Sequence, residues 1–118
     1  MAGTIPSTVV ETPAFLAVTR KLMDDDERTE LIDYLAWNPT AGDLIPGTGG
    51  VRKLRWALAG RGKSGGARVI YFHHDADMPL FALAAYAKND RADLSQQDRN
   101  DFRRLTTCLV EAYKRKRT

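Results

Sequence analysis

The chain has 118 residues, 43% hydrophobic and 28% charged, which is the composition of a globular protein with one modest core. Net charge is only +3 while the pI is about 9.2, so any partner chosen by charge must meet a local basic patch and not the surface as a whole. A single cysteine excludes an internal disulfide framework and a paired-cysteine metal knuckle, and no apolar run nears the roughly 18 residues that would cross a bilayer.

The N-terminal "MAGTIPSTVVETP" has neither the charged start nor the apolar stretch of a signal peptide. One cytoplasmic domain over residues 1–118 is the expectation. Thr8 to Glu11 ("TVVE"), closed by Thr12-Pro13, predicts a short first strand. Ala14 to Leu22 reads as a helix, with Phe15, Val18 and Leu22 at helical spacing. The carboxylates of "DDDE", Asp24 to Glu27, suit the start of a second helix. Leu31, Ile32 and Leu35 form its apolar face, and Asn38-Pro39 ends it.

A loop then carries "TAGDLIPGTGG" to Val51. From Val51 to Leu58 the residues alternate, with Leu54, Trp56 and Leu58 on one face and Lys53 and Arg55 on the other. That pattern predicts a half-buried strand with one cationic face. "AGRGKSGG" links it to the strand-forming "ARVIYFHH", Ala67 to His74. After the turn "DADMP", Leu80 to Lys88 is a further strand, with Phe81 and Leu83 opposite Tyr86 and Lys88. Ser95 to Asp98 ("SQQD") is an acidic capping box opening a last helix, whose stripe is Phe102, Leu105, Leu109 and Ala112. Short links between the last three strands imply antiparallel pairing. The class is α+β: an antiparallel sheet of about four strands, two N-terminal helices and a C-terminal helix.

The stretch from Gly47 to Phe72 holds seven of the nine glycines and six cations, Arg52, Lys53, Arg55, Arg61, Lys63 and Arg68, with no acid between Asp43 and Asp75. Its "GKS" is not a phosphate-binding P-loop. Ala57 occupies the place of the first glycine, and a strand follows where that motif needs a helix. A surface kept charged for solubility would mix signs, and this one does not. A phosphate-rich ligand is the preferred reading.

Taken together, "IPGTGGVRKLRWA", "GRGKSGGARVIYF" and "YAKNDRADLS" resemble the HigB-like branch of the RelE/ParE toxin superfamily. The resemblance covers about two thirds of the chain. It implies a RelE-like fold and a bacterial type II toxin, a ribosome-dependent endoribonuclease cutting mRNA in the ribosomal A site without metal or other cofactor. It implies as partners a HigA-like helix-turn-helix antitoxin, with which a monomeric toxin forms a hetero-oligomer, and ribosomal RNA. By the same resemblance Arg68 stands at the phosphate-binding arginine of the central strand and Lys88 at the cation of the "YxK" motif. Lys53 and Arg55 match the preceding basic strand. Where some relatives carry a catalytic aromatic or histidine near the C-terminus, this chain has only Tyr113 and a basic tail.

The catalytic candidates are therefore Lys53, Arg68, Lys88 and Tyr86. Lys53 is a candidate base because neighbouring cations, Arg52 and Arg55, would depress its pKa. Candidates for holding RNA or ribosome are Arg52, Arg55, Arg61, Lys63, Lys114 and Arg115, with Tyr71 and Tyr86 offered to stack a base. The bland readings are cross-strand packing for the tyrosines and a solvated helix end for the tail. His73 and His74 are expected to face solvent at a strand end, and Trp37, Trp56 and Cys108 to sit in the core. Two other functions share the fold, a ParE-like toxin acting on DNA gyrase and a non-toxic RNA-binding module.

Overall fold

Three side-chain caps set where the helices begin. The Thr12 hydroxyl accepts the Phe15 N–H at 3.3 Å and donates to the Ala82 carbonyl at 2.9 Å, so one cap both starts a helix and ties it to a strand. Asp24 and Glu27 form a reciprocal capping box, and Ser95 with Asp98 forms another, both bonds 3.0 Å. The computed structural model describes residues 5–58, 66–88 and 94–117. Its elements are β1 (Val9–Glu11), α1 (Pro13–Leu22), α2 (Asp25–Trp37), β2 (Asp43–Leu44), β3 (Val51–Trp56), β4 (Ala67–Phe72), β5 (Leu80–Ala87) and α3 (Gln96–Arg117). No helix among the described residues is long and apolar enough to cross a membrane.

The α+β class and the placement of the helices are as expected. The sheet is mixed, in the order β1-β5-β4-β3-β2. β3, β4 and β5 form the antiparallel meander, β1 runs parallel to β5, and α1 and α2 carry the chain from β1 to β2 at the opposite edge. The added fifth strand, β2, is only two residues long and pairs Asp43 with Lys53 and Leu44 with Arg52. Nothing in the loop sequence announced it.

Each face of the sheet carries its own core. Phe15, Leu31, Leu35, Leu54, Val69, Tyr71 and Leu80 pack under α1 and α2. Val51, Ile70, Phe72, Phe81, Leu83 and Tyr86 pack toward Phe102, Leu109, Val110 and Tyr113 of α3. Burying each such large side chain contributes about 1.5–3 kcal/mol.

Three expectations need correction. Phe81 and Leu83 share a face with Tyr86. Ile70 pairs with Ala84 but Tyr71 with Ala82, so Leu83 is an extra residue that shifts the alternation by one place. On α3, Leu105 is 39% exposed and Cys108 is exposed, while Thr106 is 2% exposed. The helix presents Thr106 inward because its hydroxyl donates to the Thr48 carbonyl at 3.1 Å. Trp37 is 42% exposed, since it lies about 200° round the helix from Leu35.

The "PGTGG" turn follows from the same contact. The Thr48 hydroxyl donates to the Ile45 carbonyl and accepts the Val51 N–H, closing the turn from β2 to β3. Gly49 has φ +77°, and a Cβ there would meet Thr106 Oγ1 at 2.5 Å. Gly49 is needed to seat α3 and Gly50 to clear Phe72, whose ring a Cβ would approach to 3.2 Å, so these glycines do not by themselves argue for an anion site.

Candidate nucleic-acid interface

Strand register brings the central cations together. Arg55 on β3 lies directly opposite Arg68 on β4, and Arg68 lies opposite Tyr86 on β5. Two like charges at opposed positions of a ladder destabilise a sheet. Just past β5, the Lys88 N–H donates to the Gly66 carbonyl at 2.9 Å, which holds Lys88 beside the start of β4. Arg55, Arg68 and Lys88, with Trp56, Ala57 and Gly66, line an open cleft of about 350 Å³. Gly66 keeps the strands tight there. A Cβ on it would crowd the Trp56 carbonyl at 3.3 Å and reach Arg68 Nη1 at 3.9 Å.

Among the described residues none of these three cations forms an ion pair. The one recorded bond of the Arg68 guanidinium is long, 3.4 Å from Nη1 to the Ala67 carbonyl. Three cationic groups, on β3, on β4 and just past β5, are thus held around one concavity. Such an arrangement can bind a phosphate through several donors at once and stabilise negative charge growing on its oxygens.

Lys53 shares this face, two residues along β3 from Arg55, or about 6.6 Å of strand. Its ladder partner is the acid Asp43. Arg52 belongs to the other face and is opposite Tyr71, so it does not stand beside the Lys53 amine as the sequence reading assumed. Arg52 Nη1 donates to the Gly42 carbonyl at 2.8 Å and the Thr40 carbonyl at 3.2 Å. It braces the loop before β2.

Tyr71 is also removed from the RNA-contacting set. It is fully buried, and its hydroxyl accepts the Gly42 N–H at 2.8 Å. Burial raises its pKa above the usual 10.0, more than the Gly42 bond and Arg52 lower it. Gly42 has to be glycine, since a Cβ would lie 2.9 Å from the Tyr71 ring. Tyr86 is 7% exposed, belongs to the core under α3 and does not line the cleft. It backs Arg68 across the ladder and cannot stack a base.

Arg61 and Lys63 lie outside the described residues. The basic tail stays helical to Arg117, with Lys114 and Arg115 exposed. Tyr113 packs edge-on against Phe81, ring centroids 6.2 Å apart, and Lys116 sits 5.4 Å over the Tyr113 ring. Phe81 is five residues along β5 from Tyr86, roughly 16 Å of strand, so the tail starts at the end of the sheet away from the cleft. The histidines are elsewhere too. His74 rests against Phe72 and lies 3.7 Å from Asp75. His73 lines a separate cleft near α2.

Sequence reasoning missed Ala57 and Gly66 as cleft residues and the Arg55–Arg68 opposition. The signal was present in outline, because a meander joining β3 to β4 must oppose some pair of their residues, but the register needed the structure. The family described as the RelE toxin of the RelE/RelB toxin–antitoxin system matches this chain over residues 9–117.

Proposed function

The chain belongs to the RelE toxin family, a membership that implies a cognate antitoxin, and from that premise we propose that it is a ribosome-dependent mRNA endoribonuclease of the HigB-like branch. The observation that carries the reading is the Arg55–Arg68 opposition with Lys88 at the same cleft. That arrangement costs folding stability, and a phosphate seated between the cations offsets it.

RNA brings its own nucleophile. The 2′-hydroxyl attacks the adjacent phosphorus, the bond to the 5′-oxygen breaks, and a 2′,3′-cyclic phosphate is left. Arg68 and Lys88 stabilise the non-bridging oxygens as charge builds on them. Arg55 holds the phosphate in line, and Lys53 serves the proton transfer or a flanking phosphate. Tyr86 positions Arg68 from the neighbouring strand. A HigA-like helix-turn-helix antitoxin neutralises the toxin through its cationic face, and the ribosomal A site supplies the alignment of mRNA that an open cleft lacks.

Induced expression without antitoxin should arrest translation before replication, with primer extension on total RNA revealing new cuts inside translated frames. Gyrase–DNA cleavage complexes appearing first, with mRNA intact, would replace this reading by the ParE-like one.

A further inference from the structure

The sheet face away from the cations carries a second surface of opposite character. Two clefts, of about 340 and 430 Å³, adjoin there and share Ser7, Ala36 and Trp37 as lining residues. They meet where the Ser7 N–H donates to the Ala36 carbonyl at 2.8 Å, and together they make a trench along β1 and α2 that narrows at this bond. Its apolar lining includes Val9, Ile32 and Pro39. Trp37 stands in the middle, 42% exposed, and Ile5 beside it is 83% exposed. Such exposure of large apolar groups in one place marks a contact surface.

The trench is acidic where the other face is basic. Glu11 and Asp33 line it with a cation, Arg28, and the first turn of α2 adds Asp26, Glu27 and Asp25, the last 3.8 Å from Arg28 Nη2. Glu11 Oε1 is buried and accepts no hydrogen bond among the described residues. Among the described residues Arg28 approaches it, with Nη1 at a loose 3.7 Å. At the other end His73 Nδ1 is likewise buried without a hydrogen bond. A buried carboxylate oxygen left without a donor is costly, and a donor delivered from outside relieves that cost.

Backbone geometry selects the kind of donor. β1 is the outermost strand of the sheet on this side, so one row of its peptide groups has no strand partner. An extended polypeptide can add to such an edge while its alternate side chains enter the flanking groove. A nucleic acid would bring phosphates toward Glu11 and Asp33, which is unfavourable.

We propose that the trench between β1 and α2 docks an extended basic segment of a partner protein, with a lysine or arginine on Glu11 and an aliphatic side chain against Trp37. The site is independent of the cationic cleft and stays open while that cleft holds RNA.

The test uses the ¹⁵N-labelled full chain and two synthetic peptides, acetyl-Val-Arg-Val-Ile-Lys-Val-amide and its counterpart with glutamates replacing the arginine and lysine. The basic peptide should shift the amides of Ser7, Val9 and Glu11 and the Trp37 indole N–H saturably, and the acidic one should not. Glu11→Gln, which keeps the side-chain shape, and Trp37→Ala should each weaken binding at least tenfold. Arg104→Ala, on the exposed side of α3, should leave it unchanged, as should a saturating single-stranded RNA oligonucleotide. Thermal melts verify that each variant is folded. No saturable shift at millimolar peptide would overturn the proposal, as would equal response to the acidic peptide or binding that survives both trench substitutions. Shifts of these resonances with protein concentration alone would also overturn it, because a second copy would then be the occupant.

Discussion

Arg68→Ala should cost the chemical step far more than it costs the fold. A unit cation about 4 Å from a unit of developing negative charge is worth about 4 kcal/mol at an effective dielectric constant near 20. The cleft is open to water, which reduces this to about 3 kcal/mol, or roughly a hundredfold in rate. Stability should change by only about 0.5 kcal/mol. The guanidinium gives up a single long bond to the Ala67 carbonyl, and its removal relieves the opposition with Arg55. Single-turnover cleavage on programmed ribosomes at saturating enzyme isolates the chemical step, with circular dichroism as fold control. Lys88→Ala should behave alike. Arg55→Ala should mainly raise the enzyme concentration needed for saturation. If the Arg68 and Lys88 variants cut at the parental rate once saturated, they only bind RNA and the assignment of transition-state roles is wrong.

Other consequences concern the scaffold. Gly49→Ala forces a Cβ to within 2.5 Å of Thr106 Oγ1 at a φ of +77° and should lower unfolding free energy by about 1–3 kcal/mol; denaturant titration checks this, and a neutral result would mean that α3 does not seat on the turn. Tyr71→Phe strips the Gly42 N–H of its buried acceptor and should cost about 1–3 kcal/mol of stability with cleavage per folded molecule unchanged; a selective loss of RNA binding would instead restore Tyr71 to the contact set. His73 has a pKa lowered from 6.5 by burial first, then by Arg52 and His74, with Asp75 opposing. Below about pH 6.5 the unfolded chain therefore takes up a proton that the folded chain resists, and stability present above that pH is lost as pH falls. Melting temperatures from pH 7.5 to 5.5 should decline in the parent and decline less in His73→Gln; identical slopes would remove His73 as the cause.

The cores and helices were legible in the sequence because they rest on local signals. The carboxylate run from Asp24 to Glu27, the capping box at Ser95 and the Leu31–Leu35 spacing are short-range patterns, and the alternation of Val51 to Trp56 reports one half-buried strand. What was not legible depends on long-range register. The extra residue at Leu83 moves Tyr86 to the face of Phe81, and no periodicity reveals such a shift. Thr106 entered the core by virtue of a partner 58 residues away, so a hydrophobic pattern passed it over for Leu105. Within the candidate site, Arg55, Arg68 and Lys88 could be named from charge and motif. Arg52 and Tyr71 could not be set aside until their face and their contacts with Gly42 were known.

The central claim is that the cleft cations stabilise attack by a 2′-hydroxyl that the ribosomal A site has aligned. The most direct measurement offers the purified protein the same end-labelled mRNA free and in the A site of programmed ribosomes, and analyses the new 3′ ends. The account predicts fast cutting on the ribosome, slow cutting of free RNA, and product ending in a 2′,3′-cyclic phosphate, with substrate lacking the 2′-hydroxyl at the cut site left intact. Cleavage of that 2′-deoxy substrate, or equal rates on free and ribosome-bound mRNA, would contradict it.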